Sequence, residues 1–398
     1  MRFLVGRDAF VEALSAAVRI LPTRSSIPIL DTVLLKVEGQ TLEIAATNMD
    51  ISLREHLSVA EAEDGSVAVT GKLLFNTVDS LRGPSLAFKL EDRTLHLKHD
   101  GGKYRFAGFS PDEFPRIRQF PDVPGFEVKT SDVKGGLAAV SFCAAKEDPR
   151  TFLTGVLWEM KPGEMRFVAS DSQRLGLWRK NEDFEETASA IISRPMADLV
   201  KNLTGESLEI RIEDDFIYVS HERGHILSRM IPGPYAPYES VIPGDPGNEL
   251  VISCNELSEA LKRALDFTEP PLNTVRLILA GSVAKLEAHS AAGSSEEEVA
   301  GEYQGPDMTI GLSGKMFLEV LRAMHSDKLT VRLYGPTAPF KVEPSSPEPG
   351  EETLYLVMPV KLEEEFLSRE EEEEPGEPEE EEPEEIDESE EEGEEEEF

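Results

Sequence analysis

The run FLVGRDAFVEALSAAV, Phe3 to Val18, decides the fold, because the chain repeats its pattern twice more. A short apolar strand, a polar break and a helical stripe return as FEVKTSDVKGGLAAVS, Phe126 to Ser141, and as LVISCNELSEALKRAL, Leu250 to Leu265. Within the first copy Phe10, Ala13, Leu14 and Ala17 fall at i, i+3, i+4 and i+7, which is one face of an α-helix. Leu14, Leu137 and Leu261 occupy one column of the repeat, 123 and 124 residues apart. That spacing is one domain length, so the 398 residues divide into three similar modules and a remainder.

Each module continues the same way. In the first, strands at 32–37 and 41–46 flank a Glu38-Gly39 turn, further strands follow, and a second helix covers 72–81. Two amphipathic helices per module and several alternating strands predict an α+β class three times over, with helices on one face of antiparallel sheets. Pro- and Gly-rich breaks near 114–125 and 232–247 place the modules at 1–121, 125–244 and 248–362. Residues 363–398 hold 24 acidic side chains and one Arg, broken by Pro375, Pro378 and Pro383, and read as a disordered acidic tail.

The formal charge of −38 is therefore mostly the tail, and residues 1–362 carry −15. No apolar run is long enough to cross a bilayer, and MRFLVGRDAF lacks a secretory h-region, so a cytoplasmic protein without membrane contact is expected. The two cysteines, Cys143 and Cys254, read as small buried apolar residues rather than a disulfide or metal pair.

A search for chemistry finds no catalytic, cofactor or metal motif. Gly311-Leu-Ser-Gly-Lys315 and Gly71-Lys72 lack the first Gly and the final Ser or Thr of a phosphate-binding loop. His221 and His225 flank a Glu-Arg-Gly turn and read as a solvated hairpin tip, while Asp171 and Arg174 read as structural for want of a partner acid, base or nucleophile. What recurs is charge. Six helical windows each hold two cations: Arg7 and Arg19, Lys72 and Arg82, Lys134 and Lys146, Arg194 and Lys201, Lys262 and Arg263, Lys315 and Arg322. With their acids the windows sum to +4, against −19 for the rest of residues 1–362. Any one of these charges fits the solvated face of a helix; their recurrence in all six windows points to a surface for phosphates, held without base recognition.

Four stretches together resemble the bacterial DNA polymerase III beta subunits, the sliding-clamp family: Arg24-Ser-Ser-Ile-Pro-Ile-Leu30, Phe152-Leu-Thr-Gly-Val-Leu157, Val168-Ala-Ser-Asp-Ser-Gln-Arg-Leu175 and Tyr355-Leu-Val-Met-Pro-Val-Lys-Leu362. The resemblance covers about residues 1–362. It implies three similar domains per subunit and a head-to-tail ring of two subunits, with helices lining a hole around double-stranded DNA. It implies no catalysis, cofactor or metal, and adds Arg24 and Arg150 to the DNA-facing cations. It also implies a hydrophobic groove between the middle and last modules that takes short linear motifs of DNA polymerase and clamp-loader subunits. That groove would be lined by Leu153, Ser170, Ser172, Gln173, Arg174, Leu175, Tyr235, Val241, Met316, Met358, Pro359, Val360 and Leu362. Phe106 and Phe267 are the expected homodimer contacts. The sequence departs from the commoner Ala-Thr-Asp-Gly-His-Arg-Leu at Ala169–Leu175, and has Ala236-Pro237 where Pro-Asp is usual, so the preferred peptides are open. Two other classes remain: a three-domain enzyme, which needs a convergent acid/base site, and a non-DNA scaffold using its acidic tail on basic partners.

Overall fold

The computed structural model describes residues 1–362 other than Asp100 and Asp245; the acidic run 363–398, with the disorder expected of it, lies outside the described residues. Met1–Val360 form one compact unit, and Lys361 and Leu362 are the described part of a second. Six α-helices are present among the described residues, two per module: α1 (Arg7–Ile20), α2 (Gly71–Ser80), α3 (Thr130–Val140), α4 (Arg194–Val200), α5 (Cys254–Leu265) and α6 (Gly314–Ala323).

The opening run folds as its pattern requires. Phe10, Ala13, Leu14, Ala17 and Ile20 are the buried stripe of α1. Asp8 sits in its first turn and Arg19 in its last, each favourable for the helix dipole. The helix stops because Leu21 precedes Pro22 and is held extended, at ψ 137°. Ser193 caps α4 and Ser253 caps α5, each hydroxyl accepting an amide of the first turn. Fully burying a Phe or Leu of these stripes contributes about 1.5–3 kcal/mol.

The strands assemble into two antiparallel sheets that ignore module boundaries. One of thirteen strands runs from Phe126–Lys129 at one edge to Ala60–Glu63 at the other, and one of twelve runs from Ala188–Ser193 to Met308–Ser313. The first is continuous because strand Gly224–Arg229 of module two pairs with Ile51–Ser58 of module one. The second is continuous because Arg174–Asn181 of module two pairs with Glu351–Val357 of module three. One large apolar core, from Phe3 to Val357, lies between sheets and helices through all three modules. Three smaller clusters lie apart from it, and inter-module linker residues enter each: Phe114 and Ile117 with Ala45 and Ala68, Ile117 and Phe120 on Phe216, Tyr218 and Leu227, and Tyr235, Tyr238 and Ile242 on Leu157, Leu175 and Leu356.

Several expectations are corrected. Arg174–Asn181 escapes an alternation rule because five successive residues, Arg174 to Trp178, are buried. Gly293–Gln304 is a twelve-residue strand hidden by its polar composition. Lys146 and Arg82 are not helical: α3 gives way at Val140 to a 3-10 turn, and α2 ends at Ser80. The two histidines of the His221–His225 hairpin are not solvated, although Glu222 at its tip is exposed. Its strand is buried against module one, His221 is 8% exposed, and burial pushes both imidazoles down to about 4. Both cysteines are free and buried, and burial pushes the Cys143 thiol up.

Candidate functional site

The cations of the helical windows sort into two groups. Arg7 donates from Nε to the Leu81 carbonyl at 2.7 Å and from Nη2 to the Asp79 carbonyl at 2.6 Å, so it caps the C-terminus of α2. Arg194 does the equivalent in module two, donating to the Ala144 carbonyl at 3.1 Å, and Lys201 reaches Ser141 Oγ at 3.0 Å and Asp198 at 2.7 Å. Lys72 donates to the Pro22 carbonyl at 3.3 Å, Lys262 pairs with Glu259, and Arg263 pairs with Glu297 at 2.5 Å. These side chains hold helix ends and neighbours. Arg19, Arg24, Arg82, Lys134, Lys146, Lys315 and Arg322 have no ion-pair partner among the described residues, and all but Lys134, which is half-buried, are exposed.

The acids of the same windows are mostly paired. Asp8 lies 2.7 Å from Arg7, Glu12 is forked onto Arg223 at 2.7 and 2.9 Å, Asp132 takes Lys180 at 2.6 Å and Glu319 takes Arg174 at 2.6 Å. The Arg223 hydrogen bonds hold the Glu12 carboxyl below its usual range. The charge left over on the helices is therefore positive, with Glu256 the one unpaired acid of these windows among the described residues.

Several of the residues expected to line a groove gather around the turn between strands Glu164–Ser170 and Arg174–Asn181. Asp171 Oδ1 accepts the amides of Gln173 and Arg174 at 3.0 and 2.9 Å, and Ser170 Oγ donates to the Arg174 carbonyl at 2.8 Å. Arg174 is 8% exposed and forms the bridge between modules: Nε to Asp171 at 3.1 Å, Nη1 to Glu319 of α6 at 2.6 Å and to the Met316 carbonyl at 3.3 Å, Nη2 to the Phe142 carbonyl at 2.9 Å. The Met358 amide donates to the Gln173 carbonyl at 2.8 Å, and Val360 donates to Gly311 at 2.9 Å, which lays the run Met358–Val360 between that turn and the start of α6. Leu175 and Tyr235 belong to the apolar cluster beneath, where Tyr235 meets Phe152 edge-on at 5.8 Å. Leu153 is buried nearby in sequence, its carbonyl held by the Ala145 amide at 2.9 Å, while Val241 and Met358 expose 54% and 39%. Leu362 falls in the second unit and is described apart.

Two expected positions are placed differently, Arg150 and Phe106. Arg150 does not join the helix cations: its guanidinium is forked onto Asp148 and donates to Ser172 Oγ at 2.8 Å, beside the groove. Phe106 is 3% exposed and packs into the core opposite Leu95, because alternation along its strand turns Lys103 and Arg105 outward instead. Within the single chain its ring is therefore covered by the core. Phe267 is half-buried against the core. Asp148 and Phe152 are additions the sequence did not single out; Phe152 was legible as the first residue of the run 152–157. Among the described residues no group of three or more His, Cys, Asp or Glu could hold a metal, and no helix is long and apolar enough to cross a membrane.

Three family models of the DNA polymerase III beta subunit, for its N-terminal, central and C-terminal domains, match residues 1–118, 127–237 and 239–361. The beta sliding clamp of Pseudomonas aeruginosa is 26% identical over 371 residues, covering 91% of this chain and 100% of that protein. That of Escherichia coli (strain K12) is 23% identical over 372 residues with the same coverage. The crystal structure of the DNA polymerase III beta subunit of Thermotoga maritima superposes with a TM-score of 0.86 at 26% identity, over 91% of this chain and 100% of that one. A Bacillus subtilis sliding clamp, at 21% identity and a TM-score of 0.84 over the same shares, has the same fold. With its threefold α+β plan and matching models over most of its length, the chain belongs to the DNA polymerase III beta subunit family.

Proposed function

We propose that this chain is a sliding clamp: two copies close head to tail around duplex DNA, hold it without reading its sequence, and tether a polymerase and a clamp loader through the groove at the second module junction. The reading is of a non-catalytic, cytoplasmic replication subunit. The observation that carries it is the charge sorting on the helices, where every acid but Glu256 is paired and Arg19, Lys134, Lys315 and Arg322 are left without ion-pair partners among the described residues. Dispersed single cations give weak, exchangeable phosphate contacts, which permit sliding when enclosure supplies retention.

Two open strand edges support the ring. Strand Gly102–Phe109 pairs along one side with Thr94–His99, and on the other only Gly108 and Phe109 meet Ala68 and Val69. Strand Gly293–Gln304 pairs with Val283–Ser290 over 293–300, and its second side is used only over 301–304. The first edge carries exposed Lys103 and Arg105, and the second carries Glu298 beside Glu296 and Glu297, which pair with Lys285 and Arg263. Unlike edges of opposite charge favour a heterologous contact, and two such contacts close a ring. Tethering at the groove then raises the partner's effective concentration at the primer end.

The test is topological. Loaded protein is expected to stay with a nicked circular plasmid through gel filtration and to leave once the plasmid is linearised. Equal retention on both forms would replace enclosure with ordinary DNA binding.

A further inference from the structure

Ser172 stands in the left-handed region at φ 72°, a backbone state that costs a side-chain-bearing residue about 1 kcal/mol relative to glycine. Its surroundings hold it there. The Ser172 amide donates to Ser170 Oγ at 3.2 Å, and its own hydroxyl accepts from Arg150 Nη2 at 2.8 Å. Arg150 is itself fixed, with Nε and Nη2 on the two Asp148 oxygens at 3.0 Å each and its amide on Asp148 Oδ1 at 2.8 Å. One residue on, the Gln173 carbonyl receives the Met358 amide, so the posture of this turn sets where the exposed Met358 thioether stands.

We propose that Arg150, braced by Asp148, is a positioning residue for the groove: it latches the left-handed Ser172 and thereby fixes the Gln173 carbonyl that anchors Met358. Arg150 acts on bound peptide through the turn. Its assignment to the groove rather than to DNA rests on the groove reading above, but the latch itself is a property of the free protein. Gln173 and Ser172 are exposed, so a latch at this position is accessible to incoming chain and can be released without unfolding the module.

A double-substitution cycle tests it in the full-length protein. In the absence of peptide, Arg150→Ala is expected to speed amide exchange at Met358 by about fivefold, the loss of a charge-assisted surface hydrogen bond. In a Ser172→Gly background, where the turn needs no restraint, the same substitution is expected to change exchange by less than about twofold. An equal effect of Arg150→Ala in both backgrounds, or no effect in either, overturns the latch. A fluorescein-labelled octapeptide carrying one leucine and one phenylalanine among polar residues reads the consequence. Its Kd is expected to rise about fivefold in Arg150→Ala and to return toward the parent value in the double variant. Failure of this peptide to bind the parent protein counts against the groove reading, and the exchange cycle still decides the latch.

Discussion

Between modules one and two, Ile51–Ser58 pairs with Gly224–Arg229; between modules two and three, Arg174–Asn181 pairs with Glu351–Val357. Both seams use main-chain hydrogen bonds and a linker laid over an apolar cluster apart from the main core. Their fillings differ. The first encloses charge: Glu55 is 1% exposed with Arg223 Nε at 3.5 Å, Arg223 is forked onto Glu12, His221 lies 3.9 Å from Glu55, and Glu43 holds His56 at 3.5 Å. Burial raises the Glu55 carboxyl above its usual range. Its linker is pinned by cations on rings, Arg118 over Phe216 at 4.2 Å and Arg211 over Phe120 at 4.6 Å. The second seam has one buried arginine and leaves apolar Val241 and Met358 in solvent. Met49, 62% exposed, is an uncovered apolar residue beside the first seam, and Val241 and Met358 are uncovered at the second, which is the seam proposed to take a partner.

The sharpest way to break the comparison is one substitution made at both seams. An added Cβ at Gly224 falls 1.9 Å from the Arg54 carbonyl oxygen, so Gly224→Ala must force the paired strands apart. A loss above about 4 kcal/mol is expected by urea unfolding. At Gly176 the nearest atoms are side-chain ones, Cys143 Sγ at 3.1 Å and a Tyr355 ring carbon at 3.2 Å, and Gly176→Ala is expected to cost about 1 kcal/mol. Similar losses at both sites would mean that the seams are equally tight.

Arg174→Ala comes next. It leaves Asp171, with a side chain 14% exposed, without its cation and unties Glu319, and a loss of about 3 kcal/mol is expected in the same assay. Glu319→Gln, whose side chain is 48% exposed, should lose under about 1 kcal/mol.

Acid should open the first seam before the second. His221 and His225 have folded values of about 4 against 6.5 unfolded, so both are neutral in the fold and the unfolded chain binds their protons first. Their contribution is present above pH 6.5 and is lost as pH falls toward 4, on the order of 1–3 kcal/mol for each imidazole. Glu55 has the opposite sign: its raised value makes the ionised form unfavourable in the fold, so its protonation on acidification offsets part of the loss. A urea midpoint in His221→Asn that is as steep in pH as the parent would remove this histidine from the account.

The smallest expected stability effect lies on the open side of the second seam. Val241→Ser and Met358→Ala should shift stability by less than about 0.5 kcal/mol, since both side chains already face water. Each should nevertheless weaken octapeptide binding severalfold by fluorescence polarisation, and unchanged binding in both would move the contact elsewhere.

Helix stripes were legible because the 3.6-residue period is local: Phe10, Leu14, Leu137 and Leu261 are all buried in full. Strands with one wet face were legible for the same reason. Arg174–Asn181 was not, since burial on both faces removes alternation, and the polar Gly293–Gln304 offered none. Ser170, Ser172 to Leu175 and Met358 to Val360 were proposed for the groove from the resemblance to the family, whereas Asp148 was not, because its contacts depend on where Arg150 points.

The sequence by itself determined the number of modules, the class of each, and the excess of cations on the helices, because repeats, periods and composition are carried by neighbouring residues. Only the tertiary structure decided which charges are available. Whether Arg7 faces a helix end or solvent, whether His221 is wet or dry, and whether Phe106 points in or out depend on strand pairing and helix docking between residues far apart in the chain. The free energy of a charge or a ring is set by what surrounds it, and at the seams the surroundings come from another module.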